Sequence, residues 1–269
     1  MRIRVCFAKT EAGRYLSHLD LARTLERSLR RAKAPLAFSA GFNPHLKMAI
    51  ASALPVGVTG QREYFDVELA TDIPIRIFSE ALASACPPAL AFVAAEEISA
   101  FAKSLSAVVN LAVYRIDASI PGADMDKVAA GIEAVLAADE LWRKPKEKPG
   151  KKAIPAKEVR GLLQHLEILS HTPADSLPDN APDSLPDSPS DGAATQASEK
   201  PLAQPLLTVS LEAALLLKAD GQLQPKELWE MVAEAGGFGP APPAHISRLG
   251  LWVAEGGKVY APIDSLSSP

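Results

Sequence analysis

Cysteine is nearly absent from this chain: Cys6 and Cys86 are the two it has, far apart and with no C-x-x-C between them. That scarcity argues against a zinc module and against a disulfide framework, and points to a reducing cytoplasm. Long apolar runs are missing too, since no stretch approaches the roughly 18 uninterrupted apolar residues of a membrane span. The opening M-R-I-R-V-C-F alternates like a strand instead of leading into a signal-peptide core. A soluble cytoplasmic protein with no membrane partner is expected. The chemical motifs are equally sparse. There is no G-x-S-x-G, no Walker loop, no G-x-G-x-x-G, no H-x-x-x-H and no H-E-x-x-H, so no nucleophile elbow, nucleotide cradle, cofactor or metal site is expected.

What is present is charge, unevenly placed. The formal net charge of −4 conceals 11 Lys/Arg against 3 Asp/Glu between Met1 and Arg62, a surplus of +8 that leaves −12 for the remainder. A second basic run, Arg143 to Arg160, has 8 basic and 2 acidic residues. Such asymmetry in an acidic chain suits a polyanion-binding face. Arginines that merely keep a helix soluble are the plainer reading.

The most informative stretch runs from Ser17 to Glu68. Ser17 and Asp20 stand at capping-box spacing and open a helix. Ala22, Leu25, Leu29 and Ala32 make one apolar stripe, and Arg23, Arg27, Arg30 and Arg31 fall in a sector almost opposite it. The helix thus shows leucine to a core and guanidinium outward. Directly after it, Ser39-Ala40-Gly41-Phe42-Asn43-Pro44-His45 reads as a shaped loop, followed by Lys47. Gly41 can take positive φ, Pro44 fixes its own φ and biases Asn43 toward extended geometry, and Phe42 is a large apolar group among them. Ser39 reads as a turn former. His18 has two readings, a core histidine or a helix-N-terminal acid–base group facing the glycine loop; His45 has the same functional option. Phe42 and Tyr64 could stack on bases or belong to the core. Trp142 beside Arg143 and Lys144 repeats the pairing of ring and charge on a smaller scale.

Periodicity gives the order of elements. Arg2 to Ala8 reads as a strand, then come the arginine helix, strands at Lys47–Ala53 and Glu63–Leu69, a helix at Ile73–Ala85 and a strand at Leu90–Ile98. This β-α-β-β-α-β order predicts an α+β, ferredoxin-like unit over about residues 1–105. A second α+β unit is expected over 106–269, giving a tandem ferredoxin-like architecture with helices on one face of antiparallel sheets: a strand at Val108–Ser119, a helix at Asp124–Ala138, a basic arm at Glu140–Pro149, a strand at Glu158–Leu169, a strand at Leu206–Leu217, a helix at Pro225–Ala235 and a closing hairpin through Ile246–Val253 and Lys258–Ala261. Its Asp/Ser/Pro near-repeat, about 172–205, has no core face and reads as a disordered acidic insertion.

The motifs R-Y-L-S-H-L-D-L-A-R, P-L-A-F-S-A-G-F-N-P-H-L-K and L-P-V-G followed by E-Y-F-D-V-E-L resemble those of the bacterial DUF2344 family of radical-SAM-linked proteins. The match is dense over about Arg2 to Leu69 and weaker to about Leu169. The resemblance implies a radical-SAM partner protein, encoded nearby or fused in relatives. It also implies a site drawn from Ser17, His18, Asp20, Arg23, Arg31, Ser39, Gly41, Phe42, Asn43, Pro44, His45 and Lys47. The family pattern has proline where Leu46 stands, which puts close copying of the loop in doubt. No C-x-x-x-C-x-x-C is present, so the chain is not itself the radical enzyme. The expectation is a non-catalytic accessory module that presents RNA, such as tRNA or rRNA, to that partner, with Arg27 and Arg30 among the phosphate contacts. Two alternatives stay open: a metal-independent RNA endonuclease or RNA-modifying enzyme using His18 or His45, and a module that docks only protein.

Overall fold

The computed structural model describes residues 1–122, 125–145, 155–172, 206–218 and 221–263. The chain is α+β. Its first set of elements is β1 (Arg2–Lys9), α1 (His18–Arg31), β2 (Met48–Ile50), β3 (Val58–Glu68), α2 (Ile75–Ala85) and β4 (Leu90–Ile98). A one-turn α3 (Leu105–Val108) leads into β5 (Leu111–Pro121), α4 (Met125–Ala137), and the short β6 (Trp142–Arg143) and β7 (Lys157–Glu158). Then come β8 (Leu163–Thr172), β9 (Leu206–Leu216), α5 (Pro225–Ala235), β10 (Ala244–Glu255) and β11 (Lys258–Tyr260).

One mostly antiparallel sheet carries both sets, in the order β4-β1-β3-β10-β5-β9-β8, with β2 also on β3 and β11 on β10. The first set alone runs β4-β1-β3-β2, and the second runs β10-β5-β9-β8. Each places its last strand beside its first and its third between the first and second. The sets meet where Val58–Gly60 of β3 pairs in parallel with Ile246–Arg248 of β10. This junction explains the main difference from the sequence reading of β3. The residues before Glu63, expected as a polar turn, are strand because β10 supplies them with ladder partners. β2, by contrast, is shorter than the expected Lys47–Ala53, since the carbonyls of Ser52 and Ala53 turn toward the Arg248 guanidinium instead, at 3.4 and 3.5 Å. The expected strand Glu158–Leu169 is broken by a turn of 3-10 helix at Arg160–Leu162. The near-repeat at 173–205 lies outside the described residues.

Alternation along the strands builds two cores. Ile3, Val5, Phe7, Phe65 and Val67 bury against Leu21, Leu25 and Leu29 of α1 and Phe78 and Leu82 of α2. In the second set, alternate residues of β5 and β9 (Ala112, Tyr114, Ile116; Val209, Leu211, Ala213) bury with Val128, Ile132 and Val135 of α4 and Leu228, Trp229 and Val232 of α5. Period two on the strands and three-to-four on the helices are the sequence signals behind both.

Charge is buried where the sets join. Arg248 and Glu63 are each 1% exposed by side chain. The Arg248 Nε donates to Glu63 Oε1 at 2.7 Å, and its Nη2 donates to the second carboxylate oxygen. Gly60 makes room: a Cβ there would lie 2.6 Å from Glu63 Oε1. Lys9 is buried in the same neighbourhood, with Nζ donating to the Leu16 carbonyl at 3.3 Å. Burial lowers its pKa, and the Glu63 charge opposes that shift. Asp66, read from sequence as one residue of a half-buried strand, is itself buried and receives both Arg2 (2.7 Å) and Arg4 (2.8 Å).

Breaking the Glu63–Arg248 pair leaves an uncompensated charge in the core. Arg248→Ala is expected to cost about 3–5 kcal/mol of unfolding free energy. Gly60→Ala, which pushes the carboxylate off its partner without removing a charge, is expected to destabilise as well but by less. Urea denaturation of both variants checks the order; near-wild-type stability of Arg248→Ala contradicts it.

Candidate functional site

α1 is positioned by its cap and its leucines. Ser17 Oγ accepts the Asp20 amide at 3.2 Å, and its hydroxyl donates to the Asp20 carboxylate at 2.6 Å. Asp20 thus holds the capping hydroxyl and not, as the spacing suggested, the Ser17 backbone amide. Leu21, Leu25, Ser28 and Leu29 are the buried face, while Ala22 and Ala32 sit at its margins. Just past the Ala32 cap of the helix, Lys33 has a φ of 55°, which puts a non-glycine residue in the left-handed region.

The outward arginines form a band across the helix. At one border, Arg30 donates to Glu26 Oε1 at 2.7 Å and lies 5.4 Å from the Phe38 ring centroid. At the other, Arg31 donates to the Ala85 carbonyl at the end of α2 at 2.6 Å. Arg27 stands between them and has no hydrogen bond or ion pair among the described residues. Arg23 is 3.8 Å from Asp20, a loose pair with both groups exposed. Thr24, Arg27, Arg30, Arg31 and Pro87 line one open surface groove of about 440 Å³.

The loop next to it is clasped at its neck. Phe38 bridges Leu46, the Ser39 amide donates to the His45 carbonyl at 2.8 Å, and the His45 amide donates to Ser39 Oγ at 2.9 Å. The Lys47 amide donates to the Ala37 carbonyl, and the Lys47 ammonium pairs with Glu68 at 2.8 Å. Gly41 takes φ of 124°, a conformation closed to most side chains. The Phe42 ring projects fully into solvent. Asn43 and Pro44 are exposed beside it.

The structure decides between several of the readings left open by the sequence. His18, expected on the apolar side of α1 and weighed as a core residue, is exposed, because the first turn extends past the leucine contact. No hydrogen bond or ion pair joins it to the glycine loop among the described residues. His45 contributes its backbone to the clasp while its side chain is exposed. Tyr64 is core, fully buried. Burial pushes the neighbouring Cys6 thiol up to about 12, which leaves it unreactive. The second basic run is largely structural where it is described. Lys144 pairs with Glu234, and Arg143 donates to the Gln222 carbonyl. Arg160 donates to the Leu136 and Ala138 carbonyls at the end of α4, a favourable place for a cation. Residues 146–154 of that run lie outside the described residues. Phe38, Glu26, Thr24 and Pro87 join the arginine band without having been singled out from sequence. The Glu26–Arg30 spacing of four was the available signal for one of them.

A family model described as an uncharacterized protein conserved in bacteria (DUF2344) matches residues 2–181. The chain belongs to the DUF2344 family. No curated protein matches it. The DUF2344 match takes in α1, the clasped loop and every strand through β8, while β9, α5 and β10 lie beyond it. Arg248, which meets Glu63 of the matched region, is therefore outside the match. Among the described residues no helix is long and apolar enough to cross a membrane, and no three His, Cys, Asp or Glu residues gather as a metal site.

The strained end of α1 can be tested independently of function. Lys33→Gly removes a left-handed L-residue but loosens the unfolded chain, so a net gain of about 0.5–1 kcal/mol is expected. A chemical-denaturation midpoint measures it, and a loss of stability contradicts the strain.

Proposed function

We propose that this protein is a non-catalytic accessory module that binds RNA through the outward face of α1 and the adjoining loop. The observation that carries the reading is Arg27, a guanidinium without a protein partner among the described residues, set between Arg30 and Arg31 and beside a loop that displays a bare phenyl ring. Guanidinium groups are permanently charged forks suited to phosphate oxygens. Most other cations of the amino-terminal stretch are engaged internally: Arg2 and Arg4 on Asp66, Arg14 on Glu11, Lys47 on Glu68. On the helix, Arg30 and Arg23 have carboxylate neighbours in Glu26 and Asp20, whereas Arg27 and Arg31 have none among the described residues. The family resemblance supplies the second half of the proposal, that the RNA is presented to a radical-SAM protein. A catalytic role for His18 or His45 finds less support, since neither imidazole has a hydrogen-bond partner among the described residues to orient it.

Binding of a labelled RNA by fluorescence anisotropy, over a series of salt concentrations, tests this. Wild type is expected to bind with an affinity that falls steeply with salt, and Arg27→Glu with Arg31→Glu to abolish that binding. His18→Ala and His45→Ala are expected to leave it unchanged. Each lost phosphate contact lowers the slope of log K against log salt by about 0.7 for a single strand. Absence of binding at low salt, or binding indifferent to the arginine reversals, overturns the RNA reading.

A further inference from the structure

The loop adds something the arginines alone do not specify, a bare aromatic face on a loop whose base touches the row of cations through Phe38 and Arg30. Given that α1 and this loop bind RNA, as proposed for them, we infer from the geometry of Phe42 that the surface selects unpaired nucleotides. A base face would lie on the ring while the flanking phosphates lie on the arginine band.

Phe42 is bare in a particular way. It is not at a frayed terminus: the neck of its loop is closed by the paired Ser39–His45 hydrogen bonds and by the Phe38–Leu46 bridge. Gly41 turns the chain with φ of 124°, and Pro44 restricts the residue before it. The ring therefore stands on a short, constrained support, and little freedom is left to lose when a partner covers it. Neither core takes it in.

The loop and the band are physically coupled. Arg30 is common to both, since it lines the groove with Arg27 and Arg31 and stacks on Phe38 at the base of the loop. A ligand lying along the groove toward Arg30 is delivered to the loop. Phosphates alone would be equally available from a duplex, where each base is already stacked on its neighbours and offers no free face. A single strand or an open loop offers both components, and an aromatic platform beside a cationic track is how such strands are held without base-edge recognition. Asn43 and the exposed His45 are close to the ring in the chain and can meet base or ribose edges, but the selection for unpaired nucleotides does not depend on them.

The test compares a pyrimidine single strand of roughly 12 nucleotides with a blunt duplex of equal length, against wild type and Phe42→Ala, at one low salt concentration. Because Phe42 makes no core contact, its removal is not expected to alter folding, and an unchanged thermal midpoint verifies this. Wild type is expected to prefer the single strand. Phe42→Ala is expected to weaken single-strand binding by about tenfold, the scale of one lost base–aromatic stack, and to leave duplex binding unchanged. Equal affinity for both forms in wild type, or single-strand affinity untouched by Phe42→Ala, overturns the selection for unpaired nucleotides while leaving the phosphate contacts standing. Failure of both forms to bind removes the RNA reading and this inference together.

Discussion

Arg248 reaches from β10 into the first strand set and meets Glu63 where neither group touches water. Much of the architecture depends on that meeting. The parallel contact between β3 and β10 is only three residue pairs long, too short for backbone hydrogen bonds alone to fix the register firmly. A buried, bidentate ion pair supplies direction, because any slip by one residue would strand both charges. Gly60 serves the joint for the same reason, since a side chain there would crowd the carboxylate. The Thr59–Ser247 hydrogen bond at 2.9 Å and the contact of His245 with Glu11 at 3.1 Å line the same seam. The cost of placing charge here is high, and what it secures is a unique junction between two sets of elements.

That junction matters for the candidate surface because it is in the first set that the surface is built. Lys9, buried near Glu63 and Arg248, donates to the carbonyl of Leu16, one residue before the cap of α1. The start of the helix is therefore tied to the joint, while its leucines tie it to β1 and β3. What faces outward is the arginine band, with Arg27 unpartnered among the described residues and the loop standing beside it. Of the remaining amino-terminal cations, Arg2 and Arg4 share the buried Asp66, while Arg14 and Lys47 pair with Glu11 and Glu68 nearer the surface. A basic segment in a sequence and a basic surface in a structure are different things, and here the first is considerably larger than the second.

The sequence was a good guide wherever a residue's role depended on local spacing. The leucine period gave α1, alternation gave β1 and β4, Pro225 marked the start of α5, and the composition of the glycine loop marked it as a shaped turn. It misled wherever the deciding partner was distant in the chain. Nothing near Arg248 indicates that its counter-ion is Glu63, and nothing near Gln61 indicates that β10 will extend β3 past it. His18 falls on the apolar side of a helical wheel, yet a wheel does not say where the core stops. Phe38 gave no signal at all, because its importance comes from Arg30, on the far side of a helix end.

The central claim is that α1 and the clasped loop together form one RNA-binding surface. Ultraviolet crosslinking of a bound single-stranded RNA, with the adducts mapped by mass spectrometry, addresses it without altering a residue. Adducts on the peptide that holds Gly41 to Lys47, accompanied by α1, are the predicted result. Adducts confined to other surfaces, such as the Trp142 arm, or none at saturating RNA, would contradict it.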